Sequence, residues 1–156
     1  MGDYLRRCGW SRLRTLVGAG IVAAMTGAVL AAGSPAQATP PGPGVSGTII
    51  SQYTVGKTDY ILREITIPPG QATGWHWHQG ELYGRVKQGV LSHFDATCAS
   101  DGVYPRGSFI QEPSGTGNVH IGANRGRVAV VLDVLYVLPT GSPLSVDAPN
   151  PGCPFQ

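Results

Sequence analysis

Residues 70–89 read GQATGWHWHQGELYGRVKQG, and this segment holds two of the four histidines of the chain, His76 and His78. In an extended strand, side chains two residues apart project to the same side, so both imidazoles would face one point. A transition-metal ion requires several ligands that converge in this way. His120 lies in a later predicted strand, and an antiparallel barrel can bring it opposite the pair. The histidine spacing therefore predicts a metal site built on strands.

Short apolar and β-branched runs follow one another along the rest of the chain after residue 38. They predict strands at residues 48–55, 60–67, 82–86, 90–94, 108–111, 119–122 and 128–138. Turn signals separate the runs, such as Pro68-Pro69-Gly70, Asp101-Gly102 and Asn124-Arg125-Gly126. No window in this part of the sequence has the apolar stripe of a helix. The pattern predicts an all-β domain, either a barrel or a sandwich.

The first 38 residues have the three parts of a secretory signal peptide. Four arginines precede an uncharged apolar run over residues 16–30, and Ala36-Gln37-Ala38 offers a cleavage site of small residues. A permanent membrane anchor is the alternative, and Arg6-Arg7 leaves export by the twin-arginine route open. We expect cleavage near Ala38, a secreted or cell-surface protein, and no stable membrane anchor afterwards. Residues 39–47 then form a leader rich in proline and glycine, and residues 48–156 form one domain.

The charge balance of residues 39–156 excludes some classes of partner. Four of the 11 basic residues but only one of the nine acidic residues precede residue 39, which leaves seven basic and eight acidic residues. Without a basic stripe there is no electrostatic basis for binding nucleic acid or an anionic membrane. The sequence also has no G-x-S-x-G elbow and no phosphate-binding glycine loop that leads into a helix. We therefore expect neither a serine hydrolase nor a nucleotide-binding enzyme.

Two cysteines, Cys98 and Cys153, remain after removal of residues 1–38. Thiols tend to oxidise in a secretory compartment, and these two can pair only with each other. Their disulfide would fasten the C-terminal tail to the body of the domain. Two unpaired thiols are the alternative.

Two ordered motifs of this chain resemble those of the cupin superfamily. The first motif, G-x5-H-x-H-x3-4-E-x6-G, is similar to Gly70, His76, His78, Glu81 and Gly89. The second, G-x5-P-x-G-x2-H-x3-N, is similar to Gly107, Pro113, Gly115, His120 and Asn124. The tail at residues 147–155 also resembles the tails of small secreted actinobacterial cupins. The chain is thus similar to a small single-domain cupin.

The resemblance implies a small jelly-roll barrel, or double-stranded β-helix, that holds a divalent metal ion. The implied ligands are His76, His78, His120 and Glu81, and the implied ion is Fe, Mn, Zn or Ni. Glu81 departs from the motif because only two residues separate it from His78. Strand alternation places Leu82 on the histidine face and Glu81 on the opposite face, unless a bulge at Gln79-Gly80 rotates the glutamate back. A homodimer is a further expectation from the resemblance alone.

Other side chains near the histidines are weaker candidates for a functional role. Trp75 and Trp77 alternate with the histidines, so each is either a packing aromatic or a ligand-stacking one. His93 is expected to be a solvated strand residue. Arg63 and Glu64 are consecutive, so only one of them can face the interior, and a surface ion pair is the default expectation for them.

Two functions from different classes fit these observations. In the first, the protein is a metal-dependent enzyme of oxygenase or isomerase type that acts on a small molecule. In the second, it is a non-enzymatic cupin that binds a small ligand or has only a structural role. The scarcity of ionisable groups near the histidines favours the second function, since proton transfer requires a positioned acid or base.

Overall fold

A computed structural model describes residues 38–156 of the chain. The predicted signal peptide, apart from Ala38, lies outside the described residues. The described part contains no helix that is long and apolar enough to cross a membrane.

Ten strands make up the secondary structure of the described residues. They are β1 (Ser46–Val55), β2 (Thr58–Ile67), β3 (His76–Trp77), β4 (Glu81–Gln88), β5 (Val90–Asp95), β6 (Ser100–Pro105), β7 (Phe109–Glu112), β8 (His120–Ala123), β9 (Val130–Pro139) and β10 (Val146–Asp147). Sheet A has the order β1-β2-β9-β4-β7, and sheet B has the order β10-β3-β8-β5-β6. The strand pairs within both sheets are antiparallel. The prediction of an all-β domain is confirmed.

Side-chain alternation along the strands builds the core between the two sheets. In β9 every second residue from Val130 to Leu138 is buried, and in β4 the buried residues are Leu82, Gly84 and Val86. Inward apolar residues of β2, β4, β7 and β9, together with Leu91 of β5, form the larger apolar cluster. A smaller cluster lies under the C-terminal tail and contains Trp75, Phe94 and Ile121. This period of two places one face of each long strand against the core.

All seven predicted strands are present, but three further strands were not predicted. The short strands β3 and β10 have two residues each, too few for a periodic signal. The interpretation of Asp101-Gly102 as a turn is wrong, because both residues lie within β6, where Gly102 pairs with His93 of β5 and Asp101 lies at a shift in the register of the two strands. The Tyr104 ring packs directly against the backbone of Gly102, where a Cβ would collide with it.

The leader and the tail are attached to the domain. Thr39 is buried, and its backbone N–H donates a hydrogen bond to the Ala148 carbonyl at 3.0 Å. Its hydroxyl accepts a hydrogen bond from the backbone N–H of Trp75 at 2.5 Å. A disulfide joins Cys98 to Cys153 across a sequence separation of 55 residues. The expected pairing of these cysteines is therefore present, and it fastens the tail over the smaller apolar cluster.

Candidate metal centre

The three histidines converge on the neighbouring strands β3 and β8 of sheet B. His76 of β3 pairs directly with His120 of β8, and His78 follows β3 by one residue. The ring centroids lie 4.8 Å apart for His76 and His78, 4.5 Å for His76 and His120, and 5.2 Å for His78 and His120. The convergence expected from the spacing is present, although the two strands are more than forty residues apart in sequence.

Each of the three imidazoles is oriented by a backbone carbonyl. Nδ1 of His76 contacts the Gly74 carbonyl at 2.8 Å, Nδ1 of His78 contacts that of Leu144 at 2.7 Å, and Nδ1 of His120 contacts that of Asn118 at 2.8 Å. A carbonyl can only accept, so each Nδ1 carries the proton. In the neutral imidazole Nε2 then has a free lone pair. This outer hydrogen bond is the usual support of a metal-binding histidine.

Glu112, at the end of β7, provides a carboxylate in the same place. Its Oε2 lies 3.2 Å from Nε2 of His78 and 3.4 Å from Nε2 of His120. The ligand atoms of His76, His78, Glu112 and His120 all lie within 4.8 Å of one another. Ligand bonds of about 2.0–2.2 Å to a divalent ion place neighbouring ligand atoms about 2.8–3.6 Å apart, and the 3.2 and 3.4 Å distances from Glu112 to His78 and His120 lie in this range. The four side chains form a group that could hold one metal ion.

Glu81, the expected fourth ligand, is not part of this group. Its carboxylate accepts hydrogen bonds from Gln111 Nε2 at 3.2 Å and from the Ser114 N–H at 3.3 Å. Strand β4 keeps its alternation from its first residue, so Leu82 faces the core and Glu81 faces outward. Leu82 pairs across the sheet with Glu112, so the carboxylate comes from the neighbouring strand. The inward parity of Ile110 in β7 was the sequence signal that could have identified Glu112.

Burial and electrostatics within the group together disfavour protonation of His76 and of Glu112. Burial, followed by the neighbouring His120 and His78, lowers the pKa of His76 to about 3. Burial alone would raise the pKa of Glu112, but contacts with His120, His78 and His93 outweigh it and hold this pKa well below its usual value. An ionised carboxylate thus faces imidazole lone pairs. A cation between them satisfies all four groups at once, whereas three adjacent imidazolium ions would repel one another.

His93 was expected to be solvated, and this expectation is wrong. Its side chain is buried on β5, with Nδ1 2.7 Å from Asp101 Oδ1 and Nε2 3.5 Å from Glu112 Oε1. Burial lowers the pKa of His93, but Glu112 and Asp101 together raise it above the usual value. His93 therefore supports the outer oxygen of Glu112. The inward position of His93 depends on the packing of β5 between β6 and β8, which periodicity alone does not show.

The two tryptophans lie apart from the four ligands. Trp75 is fully buried in the smaller apolar cluster, where its ring centroid lies 6.0 Å from that of Phe155. Trp77 is half-buried and packs against the same cluster. Both side chains thus pack in or against this cluster, and a ligand-stacking role for them stays a prediction. The aromatic residue beside the centre is Tyr136, whose ring centroid lies 6.0 Å from that of His78.

Two cavities reach the centre from different sides. The first, of about 170 Å³, is lined by His76, His78, Thr73, Tyr136 and Arg63, among others. A deeper space of about 40 Å³ shares four of these residues and extends to Glu112. The second cavity, of about 280 Å³, is lined by Glu112 and His120 together with His93, Asp95 and Asp101.

Comparison with solved structures identifies the fold. The chain is similar to a cupin-like protein from Thermotoga maritima, with 14% identity and a TM-score of 0.57 over 75% of this chain and 90% of that one. It is also similar to a conserved protein with a double-stranded β-helix domain from Klebsiella pneumoniae, with 17% identity and a TM-score of 0.53 over 69% and 88%. A cupin 2 conserved barrel domain protein from Salinispora arenicola has 12% identity and a TM-score of 0.50 over 62% and 76%.

No family model and no curated protein matches the sequence. The chain therefore resembles these proteins in three-dimensional structure. Sequence identities of 12–17% establish the fold alone. Two antiparallel sheets, a barrel interior and these structural neighbours together show that the chain has the cupin fold, the double-stranded β-helix.

Proposed function

We propose that this protein is a small secreted cupin that holds one divalent transition-metal ion through His76, His78, His120 and Glu112. The observation that carries the proposal is the set of three hydrogen bonds from Nδ1 to backbone carbonyls, which leave three Nε2 lone pairs aimed at one point beside a carboxylate. Nε2 of His78 and Nε2 of His120 are buried and face Glu112 Oε2 at 3.2 and 3.4 Å, but with the proton on Nδ1 neither can donate to it, so within residues 38–156 they have no hydrogen-bond partner. Buried polar atoms are rarely left unpaired, so these nitrogens indicate a ligand role.

Three imidazole nitrogens and one carboxylate oxygen suit Fe, Mn, Zn or Ni better than the hard ions Ca or Mg. A bound ion of this group could supply Lewis-acid polarisation of a small ligand or, if it is iron, redox chemistry with dioxygen. The protein orients the imidazoles through their carbonyl partners, and His93 and Asp101 hold the outer side of Glu112. The cavity beside His76 and His78 gives a small molecule access to the centre.

The same site also supports a non-enzymatic function as a binder of small molecules. The cavity beside His76 and His78 contains Arg63 and Tyr136 as its other ionisable side chains. An arginine keeps its proton at neutral pH, and burial raises the pKa of Tyr136. Neither group is suited to general acid–base catalysis near pH 7. A reaction in this cavity would therefore depend on the chemistry of the bound ion. If the ion catalyses no reaction, the protein is a module that binds a small molecule.

Elemental analysis of the purified protein, recovered from its own export route, tests the metal proposal. We expect about one equivalent of a first-row transition ion in the wild type and less than about a tenth of an equivalent in the His76→Ala/His78→Ala double variant. Glu81→Gln is the matched control, because this carboxylate lies outside the group, and it should keep the metal. Equal sub-stoichiometric metal in wild type and double variant would refute the proposal. Near-ultraviolet circular dichroism checks that the double variant is folded.

Secretion is part of the proposal and is supported by two observations. The N-terminal 38 residues have the pattern of a signal peptide, and the Cys98–Cys153 disulfide suits an oxidising compartment. N-terminal sequencing of protein from the culture medium or cell surface should begin at or near Thr39. An intact Met1 on exported protein would contradict cleavage.

A homodimer is also proposed, with the free edge of β1 as its contact. This strand is ten residues long, forms the edge of sheet A, and has neither a charged residue nor a proline. Ile49, Ile50, Tyr53 and Val55 on it are exposed. Natural edge strands usually have charges, prolines or bulges that prevent pairing; β1 has a bulge at Ile50 but neither a charge nor a proline, and this uncharged edge with exposed apolar side chains favours pairing with a second copy.

A further inference from the structure

The two cavities at the centre differ in charge. On the His93 side, Asp95 and Asp101 line the cavity together with Glu112. On the side of His76 and His78, Arg63 is the charged residue among those that line the cavity. An anionic ligand is therefore repelled from the first side and attracted to the second, while a cation has the opposite preference.

Arg63 faces the interior because of its position on β2. It shares the inward face of this strand with Ile61, Ile65 and Ile67, whereas Glu64 faces outward and pairs with Lys87 at 2.6 Å. Glu64 thus forms the expected surface ion pair, with Lys87 as its partner, whereas Arg63 faces the cavity. Within residues 38–156, no carboxylate forms an ion pair with Arg63.

The backbone of β1 provides room for the Arg63 side chain. Gly47 pairs with Ile65, two residues from Arg63, and a Cβ at Gly47 would collide with the guanidinium group. The side chain therefore lies across Gly47 at the mouth of the cavity. Arg63 also lies beside Tyr136, where its positive charge opposes the effect of burial on the pKa of that phenol.

We propose that Arg63 binds the carboxylate of a small organic acid whose remaining part extends toward the metal centre. The guanidinium fork matches a carboxylate in geometry, and such charge-assisted pairs are among the stronger hydrogen bonds in proteins. The neutral phenol of Tyr136 can donate a further hydrogen bond. Val45 and Ile65 line the same space and suit a short apolar part.

The size of the cavity limits the ligand. About 170 Å³ at the mouth and about 40 Å³ beyond it fall below the ~300 Å³ at which sites for drug-sized ligands begin. A small acid fits this space, whereas a polymer segment does not. The inference rests on the proposed function only for the metal ion at the inner end of the cavity. Binding of the carboxylate by Arg63 does not require that ion, since Arg63 is not a metal ligand.

Calorimetric titration with three acids and their neutral amides tests the inference. The probes are acetate, pyruvate and benzoate, each paired with acetamide, pyruvamide or benzamide. We expect at least one acid to bind the wild type more tightly than its amide. Arg63→Gln should raise the dissociation constant of that acid by about tenfold or more, the usual loss for a charged hydrogen bond. Arg106→Gln is the control, because it removes an exposed cation outside the cavity. It should change the dissociation constant of the acid by less than about twofold.

Two results would overturn the inference. One is that no acid binds better than its amide, and the other is that Arg63→Gln and Arg106→Gln bind the acid equally well. If Arg63→Gln does not fold, Arg63→Lys takes its place, since it keeps the charge but loses the planar fork and should bind the acid more weakly than the wild type.

Metal content measured on the same samples separates this inference from the proposed function. Wild type without metal contradicts the metal site, and the titrations on metal-free protein then decide the role of Arg63. If the wild type contains metal but Arg63→Gln binds the acid as tightly as the wild type does, the metal site stands and the proposed role of Arg63 in binding a carboxylate is contradicted.

Discussion

Glu112 and Glu81 lie on adjacent strands of sheet A, yet their carboxylates have different surroundings. Glu112 is only 17% exposed and lies against His78 and His120, while Glu81 bonds to Gln111 and Ser114 on the outer side. A one-residue change of parity separates an inward side chain from an outward one. The two glutamates therefore form a natural pair for testing which carboxylate binds the ion.

Glu112→Gln should lower the affinity for the transition ion by at least about tenfold, because an amide replaces an anionic ligand of similar size. Glu81→Gln should change that affinity by less than about twofold, since surface polar groups away from the ion contribute little. Competition with a chromophoric chelator measures both affinities. A larger loss in Glu81→Gln than in Glu112→Gln would show that the assignment of the carboxylate is wrong.

His76 should make the metal-free protein less stable in acid. Its pKa is about 3 in the folded protein, compared with 6.5 for an ordinary histidine. Between these two values the unfolded chain takes up a proton that the folded protein does not. The stabilising contribution of neutral His76 is complete above pH 6.5 and is lost as the pH falls toward 3, by at most about 1.4 kcal/mol per pH unit.

Urea unfolding in the presence of a chelator, at several pH values between 4 and 7, measures this effect. The difference in stability between wild type and His76→Gln should shrink as the pH falls, because only the wild type has this group. Glu112 acts in the same direction at lower pH, whereas the raised pKa of His93 gives stability that is lost as the pH rises. A difference that is independent of pH would contradict the role assigned to His76.

The C-terminal tail depends on a few attachments to the body of the domain. The disulfide joins the tail to Cys98, which follows β5, and the Asn150 side chain contacts the backbone of Gly152, Cys153 and Phe155. Phe155 packs against Phe94 with ring centroids 4.8 Å apart. Because β10 precedes this tail and pairs with β3, the tail also supports the strand that contains His76.

Cys98→Ser/Cys153→Ser should lower the free energy of unfolding by about 4 kcal/mol, the chain-entropy value for closure of a 55-residue span. Urea unfolding curves give the free energy, and wild type reduced with a thiol should match the double variant. Oxidised and reduced wild type of equal stability would show that the disulfide does not stabilise the fold.

Within residues 38–156, no further strand pairs with the outer edge of β1 in sheet A, so the contact with a second copy can be tested directly. Sedimentation equilibrium should show a dimer for the wild type. Ile50→Lys should raise the dissociation constant by at least about tenfold, since two-fold symmetry brings two like charges to the contact. Val128→Lys is the matched control, because Val128 is equally exposed but lies outside β1, and it should remain dimeric. A monomeric wild type would contradict the proposal.

Local sequence patterns determined much of this fold. Short apolar and β-branched runs between turn signals located seven strands. The single residue between His76 and His78 placed both imidazoles on one side, and the two cysteines left after residue 38 allowed one pairing. These features depend on neighbours in sequence, because strand alternation and turn chemistry act over a few residues. Periodicity could not locate β3 and β10, since two residues have no measurable period.

The tertiary structure alone decided which side chains meet at the centre. The pairing of β4 with β7 brought Glu112 opposite Leu82 and left Glu81 outside, and the packing of β5 buried His93 against Asp101. The same is true of Arg63, whose guanidinium has no carboxylate partner among the described residues and faces the cavity because β1 passes it at Gly47. These contacts join different strands: β4 and β7 are separated along the chain by two other strands, while β5–β6 and β1–β2 are consecutive pairs. Their neighbours in space depend on strand order and register, and these arise from the packing of the whole domain rather than from any single segment.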